Sequence, residues 1–273
     1  MTEIYEEKMA EWPVPRECRF IETSFGSVFV VVSGPENGEP LLLLHASGVA
    51  SWSWKHNVGA LSGSYRTYAI DTIGDAGKSE YYSLNEVMHN GQDQARHYEE
   101  IMDRLDIPRA HVVGASEGGF IASNLALHAP ERVERLVLLG PMGYSGAVQA
   151  VLRMTTAQLF PLEPIRKSTF GWAFSDSETV KAEMEEWFML LLTGVAPVKV
   201  APLPLSDEER RKLVSPMLFV FGRRDNLVGN PRRAADGVRE VPNATVEIVD
   251  AGHLMGAEIP GTINRLILEF LDR

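Results

Sequence analysis

Apolar residues along the chain fall into two rhythms. Short, nearly unbroken runs occur at 40–45, 65–71, 110–113, 133–140, 216–222 and 245–249, with Leu41-Leu42-Leu43-Leu44 the most uniform. Runs of that length predict strands covered on both faces. Between them lie stretches at 52–61, 86–105 and 120–127, another after Asp225, and a closing one from Pro260. In the last, Ile263, Leu266, Ile267, Phe270 and Leu271 recur at helical spacing, and the proline suits a first helical turn. Strand and helix in alternation predict a mostly parallel sheet with helices on both faces.

Two regions depart from this alternation. Ahead of it, residues 1–19 predict a short amphipathic or irregular lead-in, 20–33 a hairpin turning at Phe25-Gly26-Ser27, and Pro35 to Gly38 a further turn. Within it, residues 141–206 replace strands with helical patterns. One of these opens at a Ser175-x-x-Glu178 capping box, closes at Gly194, and carries Val180, Met184, Trp187, Phe188, Leu191 and Leu192 on one face. The expectation is a core of residues 1–140 and 207–273 with a helical lid of 141–206, some of whose aromatic residues (Phe170, Trp172, Phe174, Trp187, Phe188) wall an apolar pocket. The stretch at 86–105 bears Asp93, Arg96, Glu99, Glu100, Asp103 and Arg104, read as a solvated helix face with His89 and His97 on the surface.

Candidate chemistry sits where strands end. Gly114-Ala115-Ser116-Glu117-Gly118-Gly119 follows a strand and opens a helix, and the small residues on both sides of Ser116 suit a sharp, crowded turn. The helix N-terminus behind it offers unpaired N–H groups and a positive dipole end to a developing anion. Asp225 and His253 each lie just past a later strand, so a parallel sheet brings them to the edge that carries Ser116. Serine needs a base, imidazole titrates near neutrality, and a carboxylate fixes the imidazole tautomer. Asp250 stands near His253 and is an alternative orienting acid.

Composition narrows the partners. Across 273 residues, 37 acidic side chains outnumber 26 basic ones for a formal charge of −11, which argues against nucleic-acid or anionic-membrane surfaces and for a small-molecule substrate. Cys18 is the single cysteine, so neither an intrachain disulfide nor a cysteine metal site is expected, and no metal-spaced histidine motif occurs. With an acidic start and no membrane-length apolar run, the expected location is the cytoplasm.

These motifs together resemble the α/β-hydrolase fold superfamily along nearly the whole chain: His45-Ala46-Ser47-Gly48, the glycine loop after Asp71, the Ser116 turn, Phe221-Gly222-Arg223-Arg224-Asp225, and Ala251-Gly252-His253. The resemblance implies Ser116 as nucleophile, His253 as base, Asp225 as its partner, and the backbone N–H groups of Ser47 and Glu117 as an oxyanion hole. It further implies that 141–206 is a cap, that His45 shapes the oxyanion loop, that Asp71 is structural and that no cofactor is needed. Two positions depart from the pattern: Ala46 replaces a glycine, and the loop Asp71-Thr72-Ile73-Gly74-Asp75-Ala76-Gly77 lacks the usual arginine and places its second glycine one residue late. The expected activity is hydrolysis of small to medium, partly apolar carboxylic esters. Cleavage of C–C bonds, lactones or thioesters, haloperoxidase-like chemistry, and a non-hydrolytic receptor or lyase share the scaffold. A Glu117 side chain facing the pocket would favour neutral or cationic substrates.

Overall fold

The computed structural model describes residues 2–144, 148–160, 162–174, 177–191 and 200–273. In chain order, helix α1 (Thr2–Ala10) precedes strands β1 (Glu17–Glu22), β2 (Gly26–Ser33) and β3 (Glu39–Leu44). A 3₁₀ turn at Ser51–Trp54 leads into α2 (Lys55–Leu61), then β4 (Tyr65–Ile70), β5 (Glu80–Tyr81), α3 (Gly91–Arg104), β6 (Ala110–Ala115), α4 (Glu117–His128) and β7 (Val133–Leu139). Helices α5 (Val148–Leu159), α6 (Glu163–Ala173), α7 (Glu178–Leu191) and α8 (Asp207–Lys212) follow, with no intervening strand among the described residues. The chain ends with β8 (Met217–Gly222), α9 (Pro231–Gly237), β9 (Ala244–Val249), α10 (Met255–Glu258) and α11 (Pro260–Leu271).

The strands among the described residues form one nine-stranded sheet in the order β1-β2-β4-β3-β6-β7-β8-β9, with β5 on β2. Pairing is antiparallel from β1 through β2 to β4 and parallel from there to β9. Successive strand residues face opposite ways. Leu42, Leu44, Val112 and Phe219 therefore meet α3 and α4 on one face, while Leu41, Leu43, Val113 and Val220 meet the α1, α2 and α11 side on the other. Both faces are dry, which is why these strands read as unbroken apolar runs.

Of the two forms expected for the lead-in, amphipathic or irregular, residues 2–10 take a helical one, α1. Tyr5 and Met9, one turn apart, are buried, and the Tyr5 hydroxyl donates to Asp71 Oδ2 at 2.9 Å. Burial, reinforced by the Asp71 charge, holds the phenol far above its usual pKa, so it stays a donor. The same carboxylate accepts from the backbone N–H of Ser51 and Lys78 and from the Ser51 hydroxyl, pinning the loops that leave β3 and β4. Gly77 passes so close to Asp71 that a Cβ there would overlap the carboxylate, which accounts for the displaced second glycine. Tyr5→Phe is expected to lower stability by about 1.5–3 kcal/mol, the range for a hydrogen bond to a charged group, read as a lower urea midpoint with unchanged slope.

Helix α3 is shorter than the predicted 86–105. Asn90 caps it, its side chain accepting from Asp93 N, while the Asp93 carboxylate accepts from His89 N. His97 is not on the surface: it is 1 % exposed, packed edge-on to Phe25 and Tyr98, and burial lowers its pKa to about 3. The helix whose cap was expected at Ser175 is α7. Ser175, Leu192 and Gly194 lie outside the described residues. No helix among the described residues is long and apolar enough to cross a membrane.

Candidate active site

Ser116 sits in the turn between β6 and α4 with φ 51° and ψ −110°, a conformation that strains any residue with a Cβ. Strain of this kind costs roughly 1–3 kcal/mol and persists only where surroundings enforce it. Here Ser116 N donates to Leu139 O at 2.9 Å, and Ser116 O accepts from Gly119, Phe120 and Met142 N–H at 3.0–3.2 Å. The flanking glycines are required by packing. A Cβ on Gly114 would strike the Gly118 backbone, and one on Gly118 would strike the carbonyls of Leu44 and His45. The end of β3 thus lies directly against the start of α4.

At the neighbouring strand ends, Asp225 is 2 % exposed and divides its carboxylate between two tasks. Oδ1 accepts from Leu227 and Val228 N–H, both at 2.9 Å, and Oδ2 accepts from His253 Nδ1–H at 2.8 Å. Gly140, at φ 52°, ends β7 beside this pair, where a Cβ would press on Asp225 Oδ2 at 3.1 Å. Burial penalises the imidazolium, but the Asp225 charge and hydrogen bond, with Glu258 behind them, outweigh it, so the His253 pKa stands above its ordinary value. Asp250, the alternative acid, lies at the surface paired with Arg224.

Ser116 and His253 line one cavity of about 60 Å³. Its wall is mostly apolar, with Trp52, Trp54 and Leu139 from the core and Val180 and Met184 from α7. The aromatics of 141–206 expected at the wall are not among its lining residues: Trp187 packs on Trp52, and Trp172 lies under the Arg153 guanidinium. Phe170, Phe174 and Phe188 cluster at 5.2–5.3 Å between ring centroids. Of the expected substrate contacts, Ser47 is exposed, Glu117 is 3 % exposed, and neither is among the residues lining the cavity. Glu117 reaches the buried Tyr98 electrostatically instead. The carboxylate that does line the cavity is Glu183 of α7, which accepts from His56 Nε2 and pairs with the buried Lys55. Burial would raise its pKa, but these two partners hold it near 2. Glu183 was missed, although it shares the spacing of Val180, Met184 and Trp187 and so falls on the same helix stripe.

His45 is a scaffold, with Nδ1 donating to Ala46 O at 2.8 Å and Nε2 accepting from Thr72 N at 2.9 Å. Among the described residues no group of three His, Cys, Asp or Glu side chains is placed to hold a metal ion.

A parallel sheet with a strained serine at one strand end and a carboxylate-held histidine beside it defines a hydrolase scaffold. The chain belongs to the alpha/beta hydrolase family, whose sequence model matches residues 41–263. It is 29 % identical to carboxylesterase YbfK of Bacillus subtilis over 98 % of this chain and 92 % of that protein. The crystal structure of naproxen esterase from the same organism superposes with a TM-score of 0.89 at 27 % identity, covering 99 % of this chain and 96 % of that one. A 2-hydroxy-6-oxononadienedioate/2-hydroxy-6-oxononatrienedioate hydrolase of Burkholderia vietnamiensis is 32 % identical over 86 % of this chain and 88 % of its own length.

Proposed function

We propose that the chain hydrolyses carboxylic esters of small to medium, partly apolar substrates through an acyl-enzyme on Ser116. The observation that carries this reading is the shared cavity: Ser116 and His253 line it, and Asp225 holds His253 with the proton on Nδ1, leaving Nε2 as the base. In the first half-reaction Ser116 Oγ attacks the ester carbonyl as Nε2 takes its proton, and the imidazolium returns that proton to the departing alkoxide. Water then attacks the acyl-enzyme with the same histidine as base. The backbone N–H groups of Glu117 and Ser47 would receive the oxyanion, in keeping with the close packing of the β3 end on the start of α4. Residues 141–206 would act as the cap.

The near relatives named as carboxylesterases support this reading. Cleavage of a C–C bond in a dioate acid, the reaction suggested by the Burkholderia relative's name, fits less well. Its carboxylates would meet Glu183 in a cavity with no lysine or arginine among its described lining residues.

Turnover of p-nitrophenyl esters of increasing acyl length tests the proposal. Rates are expected to peak at short or medium chains and to vanish after stoichiometric fluorophosphonate labelling. Labelling of Ser116 without turnover of any ester would overturn ester hydrolysis and leave an activated serine with another substrate.

A further inference from the structure

The loop between β3 and the 3₁₀ turn is held at Gly48 from two sides. Gly48 N–H donates to both carboxylate oxygens of Asp75 at 3.0 Å, and Gly48 O accepts from the Trp187 indole N–H at 2.5 Å. Gly48 has φ 75°, and a Cβ there would overlap Leu191, so α7 sits directly on this backbone. Trp187 is 2 % exposed and meets Trp52 edge-on at 5.2 Å. One peptide upstream, Ala46 O accepts from His45 Nδ1–H at 2.8 Å and from Val49 N–H at 3.4 Å. In a planar trans peptide the N–H points opposite to the C=O, so anchoring Ala46 O directs Ser47 N–H away from His45. The direction of that N–H then depends on Gly48 staying where Asp75 and Trp187 hold it.

We propose that Asp75 and Trp187 are positioning residues that grip Gly48 from opposite sides and so set the Ser47 N–H, making the oxyanion site complete only when helix α7 is seated. The inference rests on the reading of Ser47 N–H as an oxyanion donor. It also gives a purpose to the extra residue in the glycine loop after Asp71: Asp75 lies in that altered stretch, and its carboxylate reaches across to Gly48. Seating of the lid helix and assembly of the anion site become one event, so water entering an open site meets an incomplete catalyst. This is the logic of closure that assembles the chemistry.

The test uses the full chain, its best p-nitrophenyl ester, and a trifluoromethyl ketone of matching acyl length. The ketone accepts Ser116 Oγ as a hemiketal while the serine proton passes to His253, which leaves an oxyanion in the site. Trp187→Phe keeps a ring against Trp52 and loses only the donor. Asp75→Asn keeps an acceptor, and Asp75→Ala removes it. Removing an oxyanion donor outright costs about 10²–10³ in kcat, so misplacing one is expected to lower kcat about tenfold in Trp187→Phe and Asp75→Ala. KM should stay within about threefold, ketone affinity should fall in parallel with kcat/KM, and Asp75→Asn should retain most of the rate. Thermal melting establishes that each variant is folded. Loss of KM with kcat and relative ketone affinity intact would overturn the inference, reducing α7 to a pocket wall. So would an Asp75→Asn as impaired as Asp75→Ala. Retained ester turnover in Ser116→Ala would instead remove the underlying reading, a result independent of these variants.

Discussion

Ser116→Ala is expected to lower kcat on the best p-nitrophenyl ester by about 10⁶-fold, the loss typical when the nucleophile of a serine hydrolase is removed. The size follows from the chemistry. Without Oγ no acyl-enzyme forms, and what remains is binding plus whatever the backbone N–H groups offer a water-attacked carbonyl. Folding should be nearly unchanged. Alanine keeps the Cβ, so the strained φ of 51° is neither relieved nor worsened, and the backbone bonds of residue 116 to Leu139, Gly119, Phe120 and Met142 are all retained. A melting curve like that of the wild type together with lost turnover and lost fluorophosphonate labelling is the expected result. Turnover above about one per cent of wild type, well beyond the residual rates of such variants, would remove Ser116 from the mechanism.

Such a specific expectation was available early because parts of this fold leave unambiguous marks on sequence. Strands buried on both faces must be apolar at every position, so Leu41 to Leu44 and Met217 to Phe221 declared themselves. The turn at Ser116 was legible because Gly114 and Gly118 are imposed by collisions of backbone on backbone, which no other residue type tolerates. Asp225 was ranked above Asp250 by its place at a strand end, and Asp225 is the carboxylate that accepts from His253 Nδ1–H.

What stayed hidden were polar groups buried by distant partners. Gln94, His97, Tyr98, Ile101 and Met102 form the inward stripe of α3, but two of those positions are polar, and the charges on the opposite face drew attention away from them. Helix α1 has only Tyr5 and Met9 to bury, too few for a pattern, and its anchor Asp71 lies 66 residues on. Glu117 and Glu183 show the same limit at the cavity. The sequence left open whether the first-turn Glu117 faces the pocket, whereas Glu183 reaches the cavity because Lys55 and His56, from a helix far away in sequence, make its burial tolerable. Periodicity reports which side of an element is covered, not which long-range partner makes a polar residue welcome there.

Asp225→Asn is expected to lower kcat about 10⁴-fold, the effect of putting the imidazole in the wrong tautomer. The geometry forces that outcome. Asp225 Oδ1 accepts from the N–H groups of Leu227 and Val228, so an asparagine at this position will keep its carbonyl oxygen there and turn its NH₂ toward His253 Nδ1. A donor facing Nδ1 requires Nδ1 to be the unprotonated nitrogen, which places the imidazole proton on Nε2, where it can no longer accept from Ser116. The pH profile carries a second signature. The base must be neutral, so wild-type kcat/KM should rise with pH through a midpoint above the ordinary histidine value of 6.5, because the Asp225 charge outweighs burial. In the asparagine variant that charge is gone and burial acts with little opposition, so the midpoint of the residual activity should move downward, below 6.5. Asp250→Asn, which alters only an exposed pair with Arg224, is expected to keep both rate and midpoint near wild type. A rate loss under tenfold in Asp225→Asn, or a midpoint that moves upward, would mean that another group orients and charges His253.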